Sequence, residues 1–192
     1  MKKAAILMLC AAGLWGCFSA SPNKAYFQLY LEPKAAPAPA FDKILLIDRL
    51  VVDNLYDDFR ILYRLTPYEV NYYPYIFWAD KPSQMIRYAL DGYLVSRKTF
   101  RRVLLDATRG ETDWILRVVL HRIEEVDAAA AWRARLSMDL EIVEAKTERV
   151  LASRRFDRSE PLPRREVSAL PPALSHILAE ELEALLADLQ GK

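Results

Sequence analysis

WRARLSMDLEI, residues 132–142, alternates apolar and polar side chains along its whole length. A period of two predicts a β-strand with one buried face and one solvated face. We expect this strand to pair antiparallel with the strand before it, across residues 126–131. It should also pair with residues 149–156 across the turn at 146–148. The segment therefore predicts a sheet that is built largely from antiparallel neighbours.

Further strands and two helices are predicted on either side of this meander. Residues 44–52 are apolar almost throughout, which is typical of a strand buried on both faces, so we expect them to form the central strand. β-rich runs before and after Thr66-Pro67 predict a hairpin. Apolar residues at helical spacing predict one helix, capped by Asp80 and opened by Pro82, and a second after Pro171-Pro172. The other predicted strands cover residues 26–31, 100–106 and 114–125.

The composition fits one compact domain without unusual chemistry. Hydrophobic residues make up 53% of the 192, and there are only five glycines. The predicted fold class is therefore a single α/β domain, residues 25–190, with a mixed and largely antiparallel sheet of about six or seven strands packed by two main amphipathic helices.

The N-terminal residues predict export and attachment to a membrane. Residues 1–16 have the layout of a secretory signal, with two lysines followed by an apolar run that is too short to span a bilayer permanently. Leu14 lies three positions before Cys17 and Gly16 lies directly before it, a pattern that resembles the bacterial lipobox. Cleavage between Gly16 and Cys17, with lipid attached to Cys17, would leave residues 17–24 as a tether. The alternative is an ordinary signal peptide in which Cys17 is accidental.

Removal of the signal changes the charge and the cysteine count. Lys2 and Lys3 leave with it, so 27 basic residues become 25 against 26 acidic ones, and the formal charge falls from +1 to −1. A nearly neutral chain does not favour binding to nucleic acid. Cys10 is also removed, so Cys17 remains as the sole cysteine, and we expect no cofactor other than the covalent lipid on it.

Candidate catalytic and metal-binding groups are few. The chain has two histidines, His121 and His176, and neither belongs to a zinc motif; no phosphate-binding glycine loop is present. Acidic pairs occur at 57–58, 124–125 and 180–181, and we interpret them as solvated charges because neighbours on a strand or helix point in different directions. These patterns predict neither an enzyme nor a metal site.

An aromatic stretch is the candidate partner surface. Tyrosine, phenylalanine or tryptophan occupies six of the eleven positions from 68 to 78. Such density suits a binding face, because tyrosine and tryptophan combine apolar area with a polar tip. The alternative is that alternate rings pack under the first helix. We expect at least two of the four candidate residues to stay partly exposed: Tyr72, Tyr73, Tyr75 and Trp78.

The order of these motifs resembles a known family. The lipobox is followed by Leu62-Tyr63-Arg64, Tyr72-Tyr73, Trp78-Ala79-Asp80 and a helix-opening Pro82, an order similar to that of the ABC-type transport auxiliary lipoproteins. The resemblance implies a mixed α/β sheet flanked by helices, no catalytic residues, and a lipid-anchored subunit that docks on a lipid transporter of the mammalian-cell-entry (MCE) class.

The resemblance also implies a place in the cell envelope. The residue after Cys17 is Phe18 and not aspartate, which in the general sorting rule favours the periplasmic face of the outer membrane. The expected partners are the membrane, through the acyl chains, an MCE-domain subunit, and further copies of the chain in a homo-oligomer. Two alternatives remain open: a stand-alone lipoprotein that binds lipid or assists outer-membrane assembly, and a periplasmic enzyme with a dispersed site.

Overall fold

The structure, a computed structural model, describes residues 23–33, 41–107, 109–128 and 131–191. These residues form a mixed α/β domain whose nine-stranded sheet is packed by two helices, which confirms the predicted fold class with more strands than predicted. The sheet is open, and most of its paired residues are antiparallel. The elements are β1 Ala25–Phe27, β2 Phe41–Ile47, β3 Val51–Val52, β4 Arg60–Thr66, β5 Glu69–Trp78, α1 Pro82–Arg97, β6 Phe100–Leu104, β7 Trp114–Ala128, β8 Ala131–Glu144, β9 Val150–Pro161 and α2 Leu170–Gln190.

The central strand is β7, and not the predicted strand at residues 44–52. One edge of β7 pairs antiparallel with β8 along its whole length. Its other edge pairs in parallel with β2, then β3, then β4, through Leu45 opposite Trp114, Val51 opposite Val119 and Tyr63 opposite Glu125. The apolar run at 44–52 does not continue as one strand, because the polar pair Asp48-Arg49 lies between β2 and β3. Three strands from the N-terminal half therefore share one edge of β7.

The meander of β7, β8 and β9 has the predicted pairing and faces. The even-numbered residues of β8 from Ala134 to Ile142 are buried, and their face of the sheet is covered by α2. β8 then pairs antiparallel with β9, which ends at Pro161, five residues beyond the predicted 149–156. The apolar residues of α2 complete this core: Leu174, Ile177, Leu178, Leu182, Leu185 and Leu186.

A register shift in β7 changes which side chains reach this core. Leu120 lies opposite Met138, whereas Arg122 lies opposite Ser137, so one extra residue is inserted between these two pairs. An inserted residue reverses the alternation of the strand. As a result Ile123 and Glu125 share the helix-covered face with Leu120, and Glu124 lies on the opposite face.

The first helix starts at Pro82 as predicted, but Asp80 does not cap it. The N-cap residue is Lys81, which makes no capping hydrogen bond with its side chain, and Asp80 Oδ1 accepts only from the adjacent Lys81 N–H, at 2.7 Å. The first-turn N–H of Ser83 donates instead to Oδ1 of Asp57 at 3.0 Å. The cap therefore comes from the loop before β4, a long-range contact that local sequence does not reveal.

Candidate functional site

The predicted lipidation site lies outside the described residues. Neither Gly16 nor Cys17 is among them, so cleavage and acylation there stay predictions. The nearest described element is β1, which adds to the sheet edge by parallel pairing with β5, Ala25 opposite Ile76. The two helices of the described residues are each too short or too polar to cross a bilayer.

The four aromatic candidates do not form one exposed patch. Tyr75 is 46% exposed, whereas Tyr72 and Tyr73 are half-buried, so the expected exposure of at least two candidates is confirmed. Trp78 is only 2% exposed and belongs to the hydrophobic core, so it is not one of the exposed candidates. Contact of the four residues with a partner stays a prediction. Both half-buried hydroxyls donate hydrogen bonds inward, that of Tyr72 to the Leu55 carbonyl at 2.9 Å. Tyr75 thus presents the most accessible ring of the four.

Glu124 is fully buried, so the prediction of a solvated 124–125 pair is wrong. The side chain lies under the loop that joins β3 to β4, where the Tyr56 hydroxyl donates to its Oε2 at 2.9 Å. Arg64 Nε donates to both carboxylate oxygens at 3.0 Å, and Arg135 Nη1 lies 3.7 Å away. Burial, and next the Glu124 charge, raise the pKa of the Tyr56 hydroxyl, so this tyrosine stays a donor. The arrangement is a compensated ion pair within the core.

Glu125 is also buried, on the opposite face, and its compensation is poorer. The Tyr73 hydroxyl donates to Oε1 at 2.8 Å, and the ring of Tyr73 lies against that of Tyr63, with centroids 4.7 Å apart. Among the described residues, Oε2 has no hydrogen-bond partner. Burial therefore raises the pKa of Glu125 to about 7, although the Tyr73 hydrogen bond acts to lower it. With this pKa, the carboxyl group of Glu125 changes its protonation state near neutral pH.

The buried carboxylates do not amount to a catalytic centre. Glu124 and Glu125 project from opposite faces of the sheet, and neither contributes to the lining of the surface grooves described below. A general acid or base must reach the proton that it transfers. Within the described part of the chain, these two groups instead tie the loop at 53–58 and the tyrosines of β4 and β5 to β7.

A histidine and two glutamates form the one described cluster with metal-ligand chemistry. His176, on α2, has Nδ1 at 3.0 Å from Glu160 and Nε2 at 3.4 Å from Glu180. Arg158 lies in the same cluster, at 3.3 Å from Glu160 and 2.8 Å from Glu180. Its guanidinium already balances the carboxylates, so the donor set can hold a cation only by displacing it. The neighbouring Glu181 is buried and paired with Arg154 and Arg158, so the solvated interpretation of 180–181 is wrong for Glu181.

An open groove lies between α1 and the segment that follows β1. Its volume is about 490 Å³, and it is open to solvent along its length. Leu29 and Leu31 are buried at its base, and Tyr30 N–H donates to Ser175 Oγ on α2 at 3.1 Å. The lining mixes apolar and polar side chains, including Met85, Tyr88, Asp80, Tyr93 and Ser96.

Comparison with models of known protein families identifies the family of this chain. A family model described as "ABC-type transport auxiliary lipoprotein component" matches residues 27–185, which covers α1, most of α2 and all strands except the start of β1. The chain belongs to this family. The resemblance to this family is thereby confirmed. Among curated proteins, no sequence matches that of this auxiliary lipoprotein component.

Solved structures show the same fold at low sequence identity. A DUF330 family protein of Xanthomonas campestris is 21% identical, with a TM-score of 0.75 over 86% of this chain and 97% of its own. A second structure, of an uncharacterized protein, is 14% identical, with a TM-score of 0.70 over 88% of this chain and 99% of its own. At these identities the likeness establishes the fold of the auxiliary lipoprotein component and not an activity.

Family membership has two consequences for this protein. It is an auxiliary component of ABC-type transport, from a family of transport lipoproteins and not of enzymes. A lipoprotein family also implies a membrane-anchored location in the cell envelope.

Proposed function

We propose that this chain is a lipid-anchored periplasmic subunit of an ABC-type, MCE-class lipid-transport system, which acts by docking and not by catalysis. The observation that carries the proposal is the family match over residues 27–185, directly after a lipobox that ends at Cys17. Acylation of Cys17 attaches the domain to the inner leaflet of the outer membrane, the destination that Phe18 favours. More than one acyl chain is needed, because a single one gives only marginal attachment.

Docking requires a surface that stays available after the domain has folded. Tyr75 offers such a surface on β5, and the half-buried Tyr72 and Tyr73 lie on the same strand. Tyrosine is enriched among the residues that dominate protein interfaces. We infer that this strand contacts the MCE-domain subunit or a second copy of the chain.

The anchor is tested with a Cys17→Ser variant. We expect the unaltered protein to enter the detergent phase at its mature size, with a mass increased by the lipid at Cys17. The variant should appear in the aqueous phase or stay uncleaved. A Cys17→Ser protein that still enters the detergent phase at mature size would show that Cys17 is not the anchor.

The partner is tested by co-purification with an MCE-domain subunit of the same organism. Tyr75→Ala should weaken capture, since truncation of a central interface aromatic commonly costs about 2 kcal/mol. Tyr88→Ala, which alters an exposed tyrosine on α1, is the matched control. Equal capture by both variants and by the unaltered chain, with unchanged melting, would remove Tyr75 from the interface.

The groove beside α1 favours a second candidate, a lipoprotein that itself binds lipid. Its volume of about 490 Å³ would accommodate part of an acyl chain against Leu29, Leu31 and Met85. Mass spectrometry of lipid extracts from the purified protein distinguishes the two. Stoichiometric non-covalent lipid that a Met85→Asp variant loses would favour this candidate.

A further inference from the structure

Two turns and one strand end lie together at one end of the sheet. β4 runs parallel to β7, with Tyr63 opposite Glu125, so the β4–β5 turn and the β7–β8 turn point the same way. β9 ends there as well, with Pro161 opposite Arg133. We call this the hairpin end, and its described residues are 66–69, 127–128, 131–132 and 161–165.

The hairpin end presents an exposed aromatic ring at its tip. Tyr68 is 98% exposed, yet its turn is held in place: Tyr68 N–H donates to Thr66 Oγ1 at 3.2 Å, and Arg64 Nη1 donates to the Pro67 carbonyl at 3.3 Å. Tyrosine combines an apolar ring with a polar hydroxyl, which suits it to the boundary between lipid headgroups and acyl chains.

The chain enters the domain from the side of the hairpin end. β1 runs parallel to β5, which itself runs away from the hairpin turn. Ala25 lies opposite Ile76, so the position before Ala25 is level with Tyr75, one step nearer to the turn. Cys17 lies eight residues before Ala25, and a chain of that length reaches at most about 29 Å.

This reach covers the hairpin end and falls short of Phe41, the outermost residue of the opposite end. From Ile76 back to Glu69 is seven residues of β5, roughly 23 Å. In the other direction, Ala25 is level with β7 near Arg122, and β7 extends eight residues from there to Trp114. Leu45 of β2 lies opposite Trp114, and β2 extends four residues further, to Phe41. One residue of β7 in this stretch is the inserted one and adds no length, so about eleven residue steps separate the level of Ala25 from Phe41, a distance of about 36 Å. A lipid on Cys17 can therefore hold the hairpin end at a bilayer but not the end at Phe41.

Charge at the hairpin end is balanced. Arg164 and Arg165 are exposed just after β9, whereas Glu69 in the β4–β5 turn and Asp127 near the end of β7 carry the opposite charge, and Arg164 lies 3.9 Å from Glu166. Contact with a membrane at this end should therefore depend on the aromatic tip and change little with salt, because only a net basic patch is strongly drawn to anionic lipid.

We propose that the hairpin end is the membrane-facing surface of the domain, with Tyr68 inserted at the headgroup boundary of the bilayer that holds the acylated Cys17. The inference rests on the proposed anchor. It leaves Tyr75 and the opposite end of the sheet free for a partner subunit. At that opposite end the rings of Phe41, Phe100 and Trp114 pack together, with centroids 5.2–6.1 Å apart.

The test places a fluorophore at either end of the full-length acylated protein. Tyr68→Cys and, as the matched control, Lys146→Cys in the exposed β8–β9 turn at the opposite end are each labelled with the environment-sensitive probe NBD. An acylated Cys17 has no free thiol, so the unaltered protein should take no label. The proteins are then reconstituted into vesicles of phosphatidylethanolamine and phosphatidylglycerol that contain a doxyl-labelled lipid quencher.

The expected result is blue-shifted emission at position 68, with quenching several-fold stronger than at position 146 and unchanged in high salt. Equal quenching at both positions, or stronger quenching at 146, would overturn the proposal. A blue shift at 68 that needs the MCE-domain subunit and not lipid would also overturn it, and would assign the tip to a protein partner. Failure of the anchor is detected separately: Cys17 of the unaltered protein would then take the label and would carry no added lipid mass.

Discussion

Glu124 and Arg64 show how much a single residue of this sheet depends on its partner. The carboxylate is fully buried, and its nearest cation is an arginine whose side chain is mostly buried. Arg60, four residues earlier on β4, makes a similar pair with Asp58, but this pair is exposed to solvent. A charge that loses its partner in the core is far more costly than one that loses it in water.

We predict that Arg64→Leu lowers the free energy of unfolding by about 3 kcal/mol, because it leaves the Glu124 charge buried with only Tyr56 and the more distant Arg135. Arg60→Leu should lower it much less, because its pair with Asp58 is exposed to solvent. Adding Glu124→Gln to Arg64→Leu should recover part of the loss, because the uncompensated charge is then gone. Urea unfolding measures all three, and equal losses for the two arginine variants would contradict the prediction.

Glu125 makes stability depend on pH near neutrality. Burial raises its pKa from about 4.5 to about 7, so between these values the folded protein binds a proton that the unfolded chain has released. The contribution of Glu125 to the free energy of unfolding is therefore greatest below about pH 4.5. It falls as the pH rises towards 7, by up to about 3 kcal/mol. Glu125→Gln should remove this dependence. Urea unfolding at pH 5.5 and pH 8 checks it, and an unchanged pH slope in the variant would contradict it.

The two buried glutamates were beyond the reach of local sequence patterns. Neighbouring residues of a strand do point to opposite faces, as expected, but both faces of β7 are covered where Glu124 and Glu125 lie. The loop at 53–58 that carries Tyr56 covers one face, and its position follows from long-range strand order. The register shift before Arg122 then decides which glutamate faces the helices, and no turn residue or glycine marks it.

At the scale of elements, α1 depends on a cap from elsewhere in the chain. Asp57→Ala removes the acceptor of the Ser83 N–H and should lower stability by about 1 kcal/mol, within the usual range of cap deletions. Asp80→Ala, the adjacent control, should have little effect because its carboxylate bonds only the exposed Lys81 N–H. Thermal melts compare the two, and a larger loss for Asp80→Ala would restore Asp80 as the cap.

The elements that local pattern predicted well are those whose partners are close in sequence. The alternation at 132–142, the turn at 146–148 and the stop at Pro161 together define β8 and β9, since a meander needs only neighbouring strands. Residues 44–52 were harder, because a continuous apolar run indicates burial but not position in a sheet. The order of parallel strands is decided by contacts between residues more than sixty positions apart, such as Leu45 and Trp114.

At the scale of the whole molecule, β7 should be the most protected strand. Both of its edges are paired, whereas β1 and β6 lie at sheet edges and are short. We therefore predict that the amides of residues 116–123 exchange with solvent most slowly, by global unfolding, and that those of β1 and β6 exchange by local opening. Hydrogen exchange followed by mass spectrometry tests this, and early exchange of β7 would contradict it.

The pairing of β2, β3 and β4 with one edge of β7 also fixes the order in which strands can pair as the chain emerges, N-terminus first. β3 and β4 are made some sixty residues before the strand they pair with, and long-range parallel pairing must wait for that strand. The β4–β5 hairpin and α1 can form early, but they have no sheet to cover until residue 128 has emerged. A chain that has emerged only as far as residue 113 would expose its apolar strands, so we expect chaperones that hold unfolded chains to protect the first half of this protein more than the second.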